Sequence, residues 1–66
     1  MQTIAEILAQ ELGASPVHVQ NVIDLLDGGN TIPFIARYRK ELHGSMDDTA
    51  LRKLEDRLTY LRNLDQ

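Results

Sequence analysis

Leu51-Arg52-Lys53-Leu54-Glu55-Asp56-Arg57-Leu58-Thr59-Tyr60-Leu61-Arg62-Asn63-Leu64 is the stretch on which the fold turns. Its leucines return every three or four positions, the interval that aligns side chains on one face of an α-helix, and charged residues fill most of the space between them. A half-buried strand would alternate apolar and polar residues at every second position instead. Asp47 or Ser45 stands where a helix cap belongs, and Asp47 and Asp48 both suit the electropositive start of a helix. No stop residue follows, so the chain is expected to be a fragment that ends inside a longer helix.

Upstream, three more helices follow from caps and stops. Thr3 with Glu6 three residues later forms a capping box, Ile4, Ile7, Leu8 and Leu12 recur at helical spacing, and Gly13 can adopt the left-handed conformation that closes a helix. Ser15-Pro16 starts a second helix, with Val19, Val22, Ile23 and Leu26 as its stripe, and Asp27-Gly28-Gly29-Asn30 ends it. Leu25 points away from that stripe, which places this helix centrally between neighbours. Thr31-Ile32-Pro33 starts a third helix over Pro33 to Leu42, with Phe34, Ile35, Tyr38 and Leu42 on its apolar arc and Gly44 as its stop. The expected fold is an all-α, small four-helix module occupying residues 1–66 as a single domain, with a helix-turn-helix-like central pair.

Composition fits that size. Of the 66 residues, 42% are hydrophobic and 26% charged, which suits a globular chain with an aliphatic core. A domain this small hides only about 60% of its unfolded surface, so its stability is thin. There is no cysteine, hence no disulfide staple and no thiolate metal site. No basic start with an apolar run marks a secretory signal, and no stretch approaches the ~20 apolar residues of a membrane span. A cytoplasmic chain without membrane partners is expected. The net charge of -3 hides an asymmetry, because every Lys and Arg lies between Arg37 and Arg62 while residues 1–36 carry Glu6, Glu11, Asp24 and Asp27 alone.

The run Leu26-Asp27-Gly28-Gly29-Asn30-Thr31-Ile32-Pro33-Phe34-Ile35-Ala36-Arg37-Tyr38-Arg39-Lys40-Glu41 resembles the signature near the N-terminus of Tex-type transcription accessory proteins. Asp47-Asp48, Leu51-Arg52 and Arg57-Leu58-Thr59-Tyr60-Leu61-Arg62-Asn63-Leu64 extend the likeness over most of residues 20–66, while residues 1–19 match in helical character. The resemblance implies a much longer bacterial protein. Beyond an N-terminal helical region it would carry an RNase-H-like fold without its catalytic acids, a helix-hairpin-helix region and a C-terminal OB-fold that binds RNA. Partners implied in this way are the remainder of the full-length protein, nucleic acid and the transcription machinery. No catalytic residue carries over. His43 departs from the pattern, which leads to a small or hydroxyl residue there, and this bears on how the third helix ends.

Two clusters could contact nucleic acid. Arg37, Arg39 and Lys40 form the densest basic group, and phosphate contacts require such cations. Arg37 and Lys40 lie within about 60° on the wheel, but Arg39 is about 160° from Arg37, so one groove could not easily take all three. The alternative is a solvated face with Arg37 paired to Glu41 four residues on. Lys53, Arg57 and Tyr60 share a flank of the last helix, where an aromatic ring could stack on a base. Alternatively, Asp56 relieves the Lys53–Arg57 repulsion and the Arg57 stem packs along the leucines.

Other chemistry lacks parts. Ser15 and Ser45 serve better as caps than as nucleophiles, and Gly28-Gly29 follows a helix and lacks the Gly-Lys-Ser or Gly-Lys-Thr of a phosphate loop. His18 sits at the edge of a core stripe with no ligand at metal spacing, and His43 at a helix end where a cation suits the dipole. The expected module is non-enzymatic, with no cofactor and no metal. Its leucine seam would dock on the rest of the longer protein, and direct DNA or RNA binding through the basic third helix is the alternative. Glu11, placed on the wheel between Ile4 and Ile7, requires a cation, and Arg37, Arg39 or Arg57 is the expected partner.

Overall fold

The computed structural model describes residues 2–44 and 46–64. Five helices and no strand occur among them: α1 (Ile4–Leu12), α2 (Pro16–Asp27), α3 (Ile32–Tyr38), α4 (Lys40–His43) and α5 (Asp48–Leu64). Helix α2 touches every other helix, as expected for a central element, and α5 lies across α1, α2 and α3.

The starts and stops follow local chemistry. The Thr3 backbone N–H donates to Glu6 Oε1 at 2.8 Å and the Glu6 N–H donates to Thr3 Oγ1 at 3.2 Å, which completes the capping box. Gly13 closes α1 in the left-handed region, at φ 68°. Ser15 Oγ accepts from the Val17 N–H at 3.3 Å with Pro16 in the first turn, and Thr31 Oγ1 does the same for the Phe34 N–H ahead of α3. Asp47 Oδ1 accepts from the Ala50 N–H at 2.8 Å and so caps α5. Ser45, the other candidate cap, and the expected continuation of this helix to Gln66 lie outside the described residues.

The third expected helix differs most. It starts one residue earlier than Pro33 and breaks at Arg39, where φ is -124° and ψ is 38°, before the single turn of α4. The break redirects the chain toward α2: Asn21 Nδ2 donates to the Leu42 carbonyl at 3.1 Å, and His43 is buried, with Nε2 3.4 Å from the Ala36 carbonyl. His43 therefore belongs to the packing and not to a solvated helix end. Gly44 has φ +71°, and a Cβ there would stand 2.7 Å from Nδ1 of His18, so the His18 ring occupies the space a side chain would need. The apolar arc is also rotated from Phe34, Ile35, Tyr38 and Leu42. Ile32 and Ile35 enter the core, Phe34 and Leu42 are half-buried, and Tyr38 is 58% exposed.

A similar rotation affects α1. Its buried side is Ala5, Leu8 and Ala9, which leaves Ile4, Ile7 and Leu12 half-buried, so Glu11 lies on a flank with Ile4 and Ile7 and is not buried. The partner it required is nonetheless present. Arg57 grips it with a two-pronged contact, Nε to Oε1 and Nη2 to Oε2, each 2.8 Å. A matching pair that the sequence did not announce joins Arg62 to Asp27, at 2.8 and 2.9 Å. Together they tie α5 to the ends of α1 and α2.

The core is aliphatic, with Leu8, Val19, Val22, Ile35, Leu51 and Leu54 fully enclosed. Leu58 joins it, Leu61 is half-buried, and Leu64 is 64% exposed, so the seam of α5 runs out past the core. Removing a fully buried leucine costs its transfer energy plus a cavity. Leu54→Ala is expected to lose about 2–5 kcal/mol, most of what so small a domain has, whereas Leu64→Ala should stay within about 0.5 kcal/mol. Urea unfolding followed by circular dichroism checks both, and equal losses would contradict the described orientation of α5.

The two pairs also set an acid response. Hydrogen bonds from Arg57 and Arg62 hold the Glu11 and Asp27 carboxyls below their ordinary values of 4.5 and 3.8, against partial desolvation that acts the other way. A carboxylate depressed in this way stabilises the fold above its ordinary value, and that contribution is lost as pH falls through the lowered one. A Glu11→Gln, Asp27→Asn double variant is therefore expected to lose less of its urea midpoint than the parent on acidification below pH 4.5. Parallel acid limbs would place the sensitivity elsewhere.

Candidate interaction surface

Breaking the helix at Arg39 decides what the first basic cluster can do. Arg37 and Glu41 now sit on separate helices, and the four-residue pair between them does not form. Among the described residues, Arg37, Arg39 and Lys40 have no carboxylate within 4.0 Å. Two of them lie instead over rings: the Arg37 guanidinium is 5.9 Å from the Tyr38 centroid and that of Arg39 is 5.6 Å from Phe34. The rings themselves are 5.2 Å apart and tilted by 42°. This forms a surface ladder of cation, ring, ring and cation, held by weak attraction of each charge to the electron-rich face beneath it.

The second cluster is placed differently. Lys53, Arg57 and Tyr60 all belong to α5, but the Arg57 fork is occupied by Glu11 while its plane lies 4.9 Å from the Tyr60 centroid. Arg57 thus joins two helices, and both faces of its chemistry are in use. Lys53 is exposed and its charge helps lower the Glu11 carboxyl, after the larger effect of the Arg57 hydrogen bond. The structure does not bring the two clusters into one continuous contact group.

Alongside the ladder, α3 and α5 leave an open depression lined by Pro33, Ala36, Arg37, Lys40 and Asp48. Sequence periodicity did not mark it. The available signal was that Pro33 and Ala36 are small residues three apart on an exposed flank, beside a polar residue one turn on. His18 and His43 border another depression together with Leu12, Met46 and Asp47. Among the described residues no group of three or more His, Cys, Asp or Glu is placed to hold a metal ion, and no helix is long and apolar enough to cross a membrane.

Residues 2–66 match the family described as Tex-like protein N-terminal domain, which carries the likeness through α1 as well as the later helices. The chain is 57% identical over 63 residues to the transcriptional accessory protein Tex of Neisseria gonorrhoeae, covering 96% of this chain and 8% of that protein. It is 55% identical over 64 residues to protein YhgF of Escherichia coli, covering 97% of this chain and 8% of that protein. It is 39% identical over 59 residues to S1 RNA-binding domain-containing protein 1 of Homo sapiens, covering 89% and 6%. The chain thus spans less than a tenth of the length of these relatives. By extent of match and by identity, it belongs to the Tex-like N-terminal domain family.

Proposed function

We propose that this module is a non-catalytic docking element of a cytoplasmic transcription accessory protein, packing against the rest of a longer polypeptide. The observation that carries this reading is the run-out of the α5 seam. Leu51, Leu54 and Leu58 are buried by α1, α2 and α3, yet the same row continues through half-buried Leu61 to Leu64, which is 64% exposed. An apolar row that outruns its own core offers a surface that gains by being covered. Adding the remainder of the full-length polypeptide to isotope-labelled domain is expected to shift the NMR signals of Leu61 and Leu64. A Leu64→Glu substitution should abolish those shifts, and an unchanged spectrum would end the docking reading.

A second reading has its own observation, the basic side chains of α3 and α4 that have no carboxylate partner among the described residues and stand beside exposed Tyr38. Phosphates would meet Arg37, Arg39 and Lys40 while a base stacks on the ring, and α2 with α3 would serve as the helix-turn-helix. It ranks below docking for two reasons. Helix α3 spans only about 10 Å, and its one cation, Arg37, lies in the last turn, where the helix dipole repels phosphate. Lys53, Arg57 and Tyr60 would add contacts only if Arg57 exchanged Glu11 for a phosphate. At low salt, single-stranded oligonucleotide is expected to shift the Tyr38 ring signals, with a loss on Arg37→Glu plus Lys40→Glu and a steep fall with added salt. No shift with either single strand or duplex would dispose of it.

A further inference from the structure

Three adjoining depressions follow the line between α3, with the single turn of α4 beyond it, and α5. One is lined by residues that include Ala36, Lys40, Met46 and Asp48; the next shares Ala36, Lys40 and Asp48 and adds Pro33 and Arg37; the third shares Pro33 and reaches Asp56. Through these shared residues they join into one shallow groove. Pro33, Ala36 and Met46 supply it with a narrow apolar floor. Its rims differ in sign: Arg37 and Lys40 stand on one side, Asp48 and Asp56 on the other, with Arg52 as the single cation among the carboxylates of the α5 rim.

We propose that this groove seats an amphipathic helix from the longer polypeptide. That helix lays a thin apolar ridge on Pro33, Ala36 and Met46, turns carboxylates toward Arg37 and Lys40, and turns a cation toward Asp48. The proposal rests on the docking reading and names where and by what chemistry docking occurs. Charge selects the occupant. A nucleic-acid strand is anionic along its whole length, so lying in the groove it would press phosphates against Asp48 and Asp56, and like charges at close range are costly. A helix can carry opposite charges on its two flanks and satisfy both rims. The openness of the groove selects the source, since a shallow contact with a small floor is weak unless a tether keeps the segment at high effective concentration. Relatives of which this chain makes up 8% provide ample polypeptide for one.

Zero-length carbodiimide coupling joins an amine to a carboxylate already in ion-pair contact. In the full-length polypeptide, Lys40 is expected to couple to a carboxylate outside residues 1–66, located by mass spectrometry of the digest. Hydrogen exchange should show α3 amides more protected there than in the isolated 66-residue domain. Arg37→Glu with Lys40→Glu, both at exposed positions, should return that protection to the isolated-domain level while the helical circular dichroism holds. Protection confined to Leu61 and Leu64, with Lys40 uncoupled, overturns the groove and leaves docking standing. Protection nowhere in the domain overturns both. Coupling between differently isotope-labelled copies, or protection that arises only when an oligonucleotide is added, assigns the groove to another occupant and overturns the proposal.

Discussion

Burial of Leu51, Leu54 and Leu58 along one side of α5 is the constraint from which the remaining packing follows. These side chains come from a single helix, and α1, α2 and α3 pack against it. Leu8, Val19, Val22 and Ile35 supply the opposing surface, all fully enclosed. The core contains no buried aromatic residue among the described positions, so many small aliphatic contacts replace a few large ones. In a domain this size, that leaves little margin for polar groups to go unmatched. The Asn21 amide on the Leu42 carbonyl and the Asn30 amide on the Leu25 carbonyl each satisfy a backbone acceptor where a helix ends.

How far this was legible in the sequence depends on the kind of signal. Caps are local, and Thr3, Ser15, Thr31 and Asp47 each act as their sequence context implies. The leucine period of α5 is strong because five leucines at three- and four-residue steps fix one face. The third helix was harder. Its Arg39 break involves no proline or glycine, and it comes with a contact from Asn21 to the Leu42 carbonyl, 21 residues away in sequence, and with burial of His43 beside the Ala36 carbonyl. Wheel arithmetic also misjudged which flank of α1 faces inward, because it weighted the larger Ile4 and Ile7 over Ala5 and Ala9, which are the buried ones. The need of Glu11 for a cation was readable, though the exposed setting of that pair was not. Of the candidate contact residues, the sequence identified the charges and named Arg57 with Arg37 and Arg39 as possible partners of Glu11; Arg57 takes that place, whereas Arg37 and Arg39 turn to neighbouring rings, which the sequence did not mark.

Two surfaces with different physics therefore share one small domain. One is apolar and lies where α5 outruns its cover; the other is a mixed-charge trough between α3 and α5 with aromatic and cationic groups on its outer edge. Both border α5, so the helix that organises the interior also frames the exterior contacts. A disturbance of its packing would reach both faces at once, while charge changes on α3 leave the interior untouched because those side chains contribute nothing to the enclosed core.

The ion pairs that close the domain join positions far apart in sequence, 46 residues from Glu11 to Arg57 and 35 from Asp27 to Arg62. During synthesis, α1 and α2 leave the ribosome long before the segment that covers them exists. At about 5–20 residues per second the wait is on the order of a few seconds. In that interval Val19 and Val22 have no lid. The enclosed core of the nascent chain is therefore complete only when the last helix clears the tunnel and closes over the first two.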